Sequence, residues 1–136
     1  MALKPPERRR VASGSPYEAQ IGFCRAMQIG DRILVAGTTP IWPDGSVDPD
    51  PAAQAGRCFT IISEALGQLG ATLSDVVRTR MFLIDAADAD AVGRVHGAIF
   101  ADNRPVATMV VIAGLLDPRW RIEIETEAVV STSASR

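Results

Sequence analysis

The chain has 136 residues, a formal net charge of −2 and 47% hydrophobic residues, which is typical of one soluble globular domain. So small a charge gives no general attraction to nucleic acid or to an anionic membrane, and no apolar run approaches the roughly 20 residues of a membrane-spanning helix. The single histidine disfavours two-histidine acid–base chemistry and a catalytic zinc or iron site. Cys24 and Cys58 predict reduced thiols in a cytoplasmic protein rather than a disulfide framework.

The polarity of the chain predicts one domain with short tails. Residues 1–12 and 131–136 are polar and are expected to be flexible tails. Residues 13–20 are rich in Gly, Ser and Pro, which predicts a loop or an extended entry segment. The domain is therefore expected to span 13–130.

Residue patterning inside that domain predicts five strands and two helices. Alternating or β-branched runs predict the strands, which are expected at 23–28, 32–37, 76–84, 108–116 and 121–130. Apolar residues three and four apart predict one helix over 51–69. A second helix is expected to begin within 85–90 and to end before Asn103, because a proline follows two residues later.

Local chemistry predicts where two of these elements turn or end. Gly30-Asp31 separates the first two strands, and a glycine in the first position suits a two-residue type II′ turn. Asp50 supplies an N-cap acceptor and Pro51 fits the first helical position. Gly70 lies where a C-terminal cap belongs.

The last two strands differ in character. Residues 108–116 are apolar at both alternating sets of positions, which predicts a strand buried on both faces. Residues 121–130 alternate small or apolar residues with Glu123, Glu125 and Glu127, so the acids are expected on one face of a sheet. Two helices cover only one face of one sheet, which predicts a two-layer α+β domain. The other face is then apolar and exposed, which predicts a closed homo-oligomer.

Several short motifs give the chain a resemblance to the RidA/YjgF superfamily, formerly labelled endoribonuclease L-PSP, over about 13–130. The motifs are Ser15-Pro16-Tyr17, Leu34-Val35-Ala36-Gly37, Gln54, Asp75-Val76-Val77-Arg78-Thr79, Phe100, Pro105 and Ile122-Glu123-Ile124-Glu125. The resemblance implies a chorismate-mutase-like fold with one mixed sheet and two helices on one face. It also implies a homotrimer whose sheets form a central barrel, with ligand clefts between subunits.

The resemblance further implies a chemistry. Described members hydrolyse reactive imines and enamines without a cofactor, using an arginine that holds the substrate carboxylate and a glutamate that positions water. The glutamate corresponds to Glu123 and a cleft tyrosine to Tyr17. The family's Pro-x-Arg-Ser reads Pro105-Val106-Ala107-Thr108 here, so Ala107 stands in place of the arginine. Each charge-assisted bond is worth about 1.5–3 kcal/mol, so an efficient deaminase of small 2-imino acids is not expected.

Each charged or aromatic candidate also has an ordinary structural interpretation. Glu123 positions water or is a solvated acid, and Tyr17 shapes the pocket or packs in a loop. Arg80 gathers an anion or pairs with an acid such as Glu125. Arg25, on the first hairpin, is a candidate for the displaced positive charge.

The remaining candidates lie near the two closing strands or on the second helix. Ala107 and Thr108 are expected to line the ligand cleft, and Trp120 is a pocket wall or a packing residue. His96 lies on the apolar side of the second helix and is expected to be packed. Cys24 lacks an adjacent histidine or a CxxC partner, which disfavours a nucleophilic role.

The sequence favours a cofactor-free hydrolase of the deaminase type that acts on an imine or enamine-like electrophile, with Glu123 guiding water. The alternative is a homotrimer that binds a small metabolite without turnover, because several cleft side chains of the family are absent. Ribonuclease or translation-inhibitor activity follows only from the old label and is disfavoured by the single histidine. The expected partners are a small-molecule ligand at the subunit interface and further copies of the chain. Nucleic acid, membrane, metal and cofactor are not expected.

Overall fold

The computed structural model describes residues 7–131, which form one mixed six-stranded sheet with helices packed on one face. The elements in chain order are β1 (Arg8–Val11), α1 (Tyr17–Ile21), β2 (Ala26–Ile29), β3 (Arg32–Thr38), α2 (Pro51–Gln68), β4 (Val76–Leu83), α3 (Ala89–Phe100), β5 (Val106–Val111) and β6 (Ile122–Val129). The strand order is β1-β2-β3-β6-β4-β5, and the neighbours are antiparallel except for β4 and β5. The predicted α+β class is confirmed.

The core lies between α2, α3 and the central strands. Helix α2 packs against β3, β6 and α3. The apolar side chains on the helix-facing side of the sheet alternate with exposed or half-buried ones, as the period of a strand requires. The buried members include Ile33, Val35, Phe59, Ile62, Leu66, Met81, Leu83, Val92, Ile122 and Ile124.

The predicted turn and helix ends are confirmed. Gly30 has a φ of 59° in the two-residue turn between β2 and β3, as a type II′ turn requires of its first residue. The Asp50 side chain accepts a hydrogen bond of 2.9 Å from the backbone N–H of Ala53 at the start of α2. Gly70 follows the helix with a φ of 78°.

The N-terminal segment differs from the sequence prediction. Arg8–Val11 lies within the expected flexible tail, yet it forms β1, antiparallel to β2, with Val11 buried. The three consecutive arginines show no alternation of apolar and polar residues, so the sequence pattern does not predict a strand here. Charged side chains are nevertheless common on strands at the edge of a sheet. Tyr17–Ile21, expected in a loop, forms a short helix that ends at Gly22. The tail prediction for 1–6 and 132–136 falls outside the described residues.

Strand β5 is shorter and more exposed than predicted. It covers Val106–Val111 rather than 108–116 and forms the outer edge of the sheet, beside β4. Val106 is 59% exposed and Val111 is 55% exposed. In the single chain β5 is therefore not buried on both faces, and its burial against sister subunits stays a prediction.

The face of the sheet away from α2 and α3 is called the open face here. The prediction that the acids of β6 share one face is confirmed, because Glu123, Glu125 and Glu127 alternate with buried residues and lie on the open face. Arg80 and Phe82 of β4 lie beside them on the same face. Within 7–131, no helix is long and apolar enough to cross a membrane.

Candidate functional site on the open face

Glu123 lies near the start of β6, half-buried on the open face. Its neighbours along the strand, Ile122 and Ile124, are fully buried on the helix side and fix the direction of the Glu123 side chain. Phe82 of β4 lies directly opposite Glu123, and Val110 of β5 lies beyond Phe82. One side of the carboxyl group therefore faces apolar side chains.

The other side of Glu123 meets a bulge in β3. Val35 pairs with Thr126 and Thr38 pairs with Ile124, so Ala36 and Gly37 together oppose the single residue between them on β6. The Glu123 carboxylate lies directly over Gly37. A β-carbon built on Gly37 would overlap Oε2 of Glu123 and lie 3.1 Å from its Cδ. The close approach thus requires glycine for steric reasons.

Arg25 ties this bulge to the chain segment before β2. Its Nη1 donates to the backbone oxygens of Ala36 at 3.4 Å and Gly37 at 3.3 Å, and to Oγ1 of Thr38 at 2.8 Å. The backbone N–H of Ala36 donates to the carbonyl oxygen of Arg25 at 2.9 Å. One half-buried arginine therefore contacts all three consecutive residues of the bulge.

The surroundings of Glu123 raise its pKa and so make it a stronger base. Burial raises the pKa of Glu123, the adjacent Glu125 raises it further, and Arg25 opposes the rise. Burial lowers the pKa of the Arg25 guanidinium, although the charges of Glu123 and Glu18 counteract this. Within the described part of the chain the Glu123 carboxylate has no hydrogen bond or ion pair. Its oxygens are free to accept a proton or to hold a water molecule.

Arg80, a predicted ligand-binding residue, pairs with the other acids of β6. Its Nη1 lies 3.0 Å from Oε1 of Glu125 and 3.7 Å from Oε1 of Glu127. Thr108 of β5 lies beside Arg80 on the same face. The structure thus brings Arg80 and Thr108 to the ion-paired part of the open face.

Ala107 lies on the opposite side of the sheet from Glu123. It pairs with Thr79 of β4, and Thr79 is fully buried on the helix side. Oγ1 of Thr79 lies 2.8 Å from Nε2 of His96 on α3. A side chain at 107 therefore cannot share a site with Glu123 of the same chain.

A cavity of about 340 Å³ lies between α3 and the start of β5. It is lined by His96, Gly97, Phe100, Ala101, Arg104 and Pro105. The His96 ring packs 4.6 Å from the ring of Phe100 and 5.9 Å from that of Phe59, and burial lowers the pKa of His96. The packed arrangement predicted for His96 matches this geometry.

The two aromatic candidates are less closely tied to Glu123. Tyr17 begins α1 and is 60% exposed, and its recorded contact is a backbone hydrogen bond to Oγ of Ser15. Trp120 lies half-buried in the loop before β6, which Gln54 holds through hydrogen bonds to Arg119 and Arg121. Its indole Nε1 is buried without a hydrogen-bond partner among the described residues. The free cysteine Cys24 donates to the carbonyl oxygen of Ala26.

Sequence reasoning did not identify Phe82 or Gly37 as site residues. Phe82 belongs to a strand whose pairing with β6 is not encoded in any local pattern. Gly37 carried a usable signal, because a glycine inside a strand pattern often marks a bulge or a close approach.

The mixed sheet with helices on one face, and the acidic strand at its centre, define an α+β domain of the YjgF type. The sequence agrees, because the family described as endoribonuclease L-PSP matches residues 14–130. The chain belongs to this family, and the resemblance to the RidA/YjgF superfamily is confirmed.

Similar proteins include both uncharacterized and named relatives. An uncharacterized protein of Streptomyces coelicolor is 43% identical over 121 residues, which cover 88% of this chain and 90% of that protein. The 2-iminobutanoate/2-iminopropanoate deaminase of Escherichia coli is 31% identical over 117 residues, covering 82% of this chain and 90% of that protein. The crystal structure of a YjgF/YER057c/UK114 family member from Mycobacterium tuberculosis superposes with a TM-score of 0.84. It is 43% identical and covers 91% of this chain and 100% of that one.

Proposed function

We propose that this protein is a cofactor-free hydrolase of the deaminase type that adds water to the carbon of a C=N bond. The observation that carries the proposal is Glu123, a half-buried carboxylate with a raised pKa and with no hydrogen bond or ion pair inside 7–131. A carboxylate in this state is suited to general-base catalysis, since its pKa moves toward the working pH. A named imine deaminase among the relatives supports the same chemistry.

The reaction needs one group that first takes and then returns a proton. Glu123 accepts a proton from water as the water oxygen bonds to the imine carbon, and the C=N electron pair moves to nitrogen. Glu123 returns this proton to the nitrogen, which gives the neutral carbinolamine. As the C–N bond then breaks and the carbonyl forms, the hydroxyl proton passes through Glu123 to the departing nitrogen, which leaves as ammonia. An enamine enters the same route after tautomerising to the imine. Phe82 restricts bulk water on one side of the carboxyl group.

The substrate is proposed to lack a carboxylate next to the imine. Ala107 stands where the family's arginine is expected, and Arg80 is engaged by Glu125 and Glu127. The missing charge-assisted pair would be worth about 1.5–3 kcal/mol for each bond, or roughly 10- to 150-fold in affinity. Small neutral imines are therefore favoured over 2-imino acids.

A homotrimer with a ligand cleft between subunits is part of the proposal. It is supported by the exposed apolar edge at β5 and by the position of Ala107 on the opposite side of the sheet from Glu123. Residues equivalent to these two meet in one cleft only if neighbouring subunits supply them. The free cysteines fit the reducing cytoplasm, which we propose as the location.

The direct test follows the decay of imines generated in situ by an amine or amino-acid oxidase, with and without protein. Glu123→Gln is expected to lower the enzymatic rate about 100-fold or more, the usual contribution of a positioned base. Glu127→Gln is the matched control, because Glu127 shares the strand face but is paired with Arg32. The proposal would be wrong if neutral and anionic imines decayed at the same rate with wild type, with Glu123→Gln and without protein.

A metabolite-binding protein without turnover is the second candidate. Ala107 in place of the arginine and the unpartnered Nε1 of Trp120 favour it, because both fit a ligand other than the family's usual substrates. Ligand binding to the folded state alone raises the unfolding temperature. A stabilising metabolite together with no turnover of any imine would select this function. RNA cleavage gains no support from the site, because His96 is packed between Phe59 and Phe100.

A further inference from the structure

Arg25 lies near Glu123, the proposed base, but its guanidinium group is hydrogen-bonded to β3. Its three recorded hydrogen bonds all leave from Nη1 and end on Ala36, Gly37 and Thr38. Among the described residues, Arg25 forms no ion pair with Glu123, although its charge acts on that carboxyl group. The Nη1 donor is thus used to hold β3, whereas a dedicated arginine fork directs its donors at the substrate carboxylate.

We propose that Arg25 is a positioning residue for Glu123, which fixes the bulge over which the carboxylate lies and places a positive charge beside it. The inference rests on the proposed function, in which Glu123 is the base. It adds a second residue to the site and separates that residue's role from substrate binding.

The first part of the role is mechanical. The bulge interrupts the β3–β6 ladder between the pairs Val35–Thr126 and Thr38–Ile124, so Ala36 and Gly37 lack regular cross-strand pairing with β6. Arg25 donates to the carbonyl oxygens of these two residues and to Oγ1 of Thr38, and its own carbonyl oxygen accepts from the N–H of Ala36. Because Glu123 lies in contact with Gly37, a shift of the bulge moves the surface on which the carboxylate rests.

The second part is electrostatic. Among the described residues, Glu125 on its own strand and Arg25 before β2 act on the charge of Glu123, and the charge of Glu123 acts in turn on Cys58 of α2. Glu125 and burial raise the pKa of Glu123, and Arg25 is the opposing positive charge. Burial raises the pKa of Cys58, so this thiol stays neutral. Glu18 of α1 faces Arg25 and offsets part of its field.

A positioning residue and a substrate anchor predict different kinetics. An anchor binds the anionic group of a substrate, so its loss raises KM for anionic imines and spares neutral ones. A positioning residue acts on the base, so its loss lowers kcat for both kinds of substrate in the same proportion. It also changes the protonation of Glu123 whether or not substrate is present.

The experiment compares Arg25→Met, Arg25→Lys and the control Arg9→Met. Methionine has a similar length without charge, whereas lysine keeps the charge but cannot reach three acceptors as the guanidinium does. Arg9 is an exposed residue of β1 that donates to Gln28, so its variant controls for lost charge. The readouts are the Glu123 carboxyl pKa by NMR of glutamate labelled with carbon-13, and kcat and KM for a neutral and an anionic imine across pH.

Arg25→Met is expected to move both the carboxyl pKa and the acid limb of the kcat profile to higher pH, because the opposing positive charge is lost. It should lower kcat equally for the two imines and leave KM nearly unchanged. Arg25→Lys should restore the acid limb but only part of kcat, and this variant decides the matter if Arg25→Met does not fold. An unchanged Glu123 pKa in Arg25→Met, or a KM rise confined to the anionic imine, would overturn the inference. If wild type hydrolyses no imine, the proposed function fails while the carboxyl pKa still decides the role of Arg25.

Discussion

The two ends of the acidic face of β6 both carry glutamates, but within 7–131 these are ion-paired at one end and unpaired at the other. At one end Glu127 lies 3.0 Å from Arg32, and Glu125 lies 3.0 Å from Arg80. At the other end Glu123 has no ion pair in the part of the chain that the structure describes. The cross-strand partner explains the difference. An arginine of β4 lies opposite each of the paired acids, whereas Phe82 lies opposite Glu123.

This comparison shows that the neighbouring strand decides whether a glutamate is structural or available for chemistry. The paired acids and their arginines remain partly exposed, with side-chain accessibilities between 25% and 61%. Ion pairs of this kind contribute about 0–1 kcal/mol each and chiefly fix the direction of the side chains. Glu123 lacks such a partner and instead loses water on both sides, to Phe82 and to Gly37.

Among changes to the surroundings of Glu123, the largest effect is expected from Gly37→Ala. The new methyl group would occupy the space of Oε2 of Glu123, and the carboxylate would have to move. Misplacing a reacting group by about 1 Å can cost on the order of 100-fold in rate. The loss of stability should be smaller than the roughly 1–3 kcal/mol of an overpacked core, because the displaced atoms end a flexible side chain. Imine hydrolysis and urea unfolding measure the two effects. A variant with wild-type kcat would show that the carboxylate position over Gly37 is not the active one.

Phe82→Arg should convert the free end of the face into a paired one. An arginine opposite Glu123 would bind its carboxylate as Arg80 binds Glu125, and its positive charge would lower the pKa of Glu123. Because its oxygens would be engaged and its basicity reduced, hydrolysis should be at least about tenfold slower than in wild type. Phe82→Leu keeps an apolar neighbour and serves as the control. Equal rates for the two variants would mean that Phe82 does not determine the state of Glu123.

The pH dependence of stability should also separate Glu123 from its neighbours. Its pKa is raised in the folded chain, so the folded state holds this proton more tightly than the unfolded state does. As pH rises from the unfolded value through the folded one, wild type therefore loses stability that Glu123→Gln keeps. The free energy of unfolding of Glu123→Gln relative to wild type should increase from acid to neutral pH. A difference that stays constant across that range would refute the raised pKa.

The smallest effect is expected from Glu127→Gln. Removing an acid that is partly exposed and paired with Arg32 should change the free energy of unfolding by less than about 1 kcal/mol. Hydrolysis should be unchanged, since Glu127 lies at the paired end of the face. Thermal unfolding at low and high salt measures how much the ion pair contributes to stability. A loss of activity would show that the site extends beyond Glu123.

Much of the fold followed from local chemistry in the sequence. Asp50, Pro51 and Gly70 define α2 because caps act within one helical turn, and the alternation in β6 gave its acidic face. The edge strand β1 was not predicted, because its three arginines do not alternate with apolar residues. The resemblance supplied Glu123, but not the residues around it.

The rest of the site depends on register, which local patterns do not contain. Pairing between β4 and β6 puts Phe82 against Glu123, and the bulge in β3 brings Gly37 beneath the carboxylate. Pairing between β4 and β5 turns Ala107 to the helix side. A shift of one residue in either pairing would reverse these placements, so only the folded chain reveals them.

The uncovered edge at β5 has a consequence for how the protein must be handled. Val106–Val111 is uncharged and rich in β-branched residues, and within 7–131 no strand pairs with its outer edge. Such an edge is a template for strand addition by any other chain, whether the addition is ordered or not. If the proposed homotrimer covers this edge, assembly and aggregation compete for the same surface.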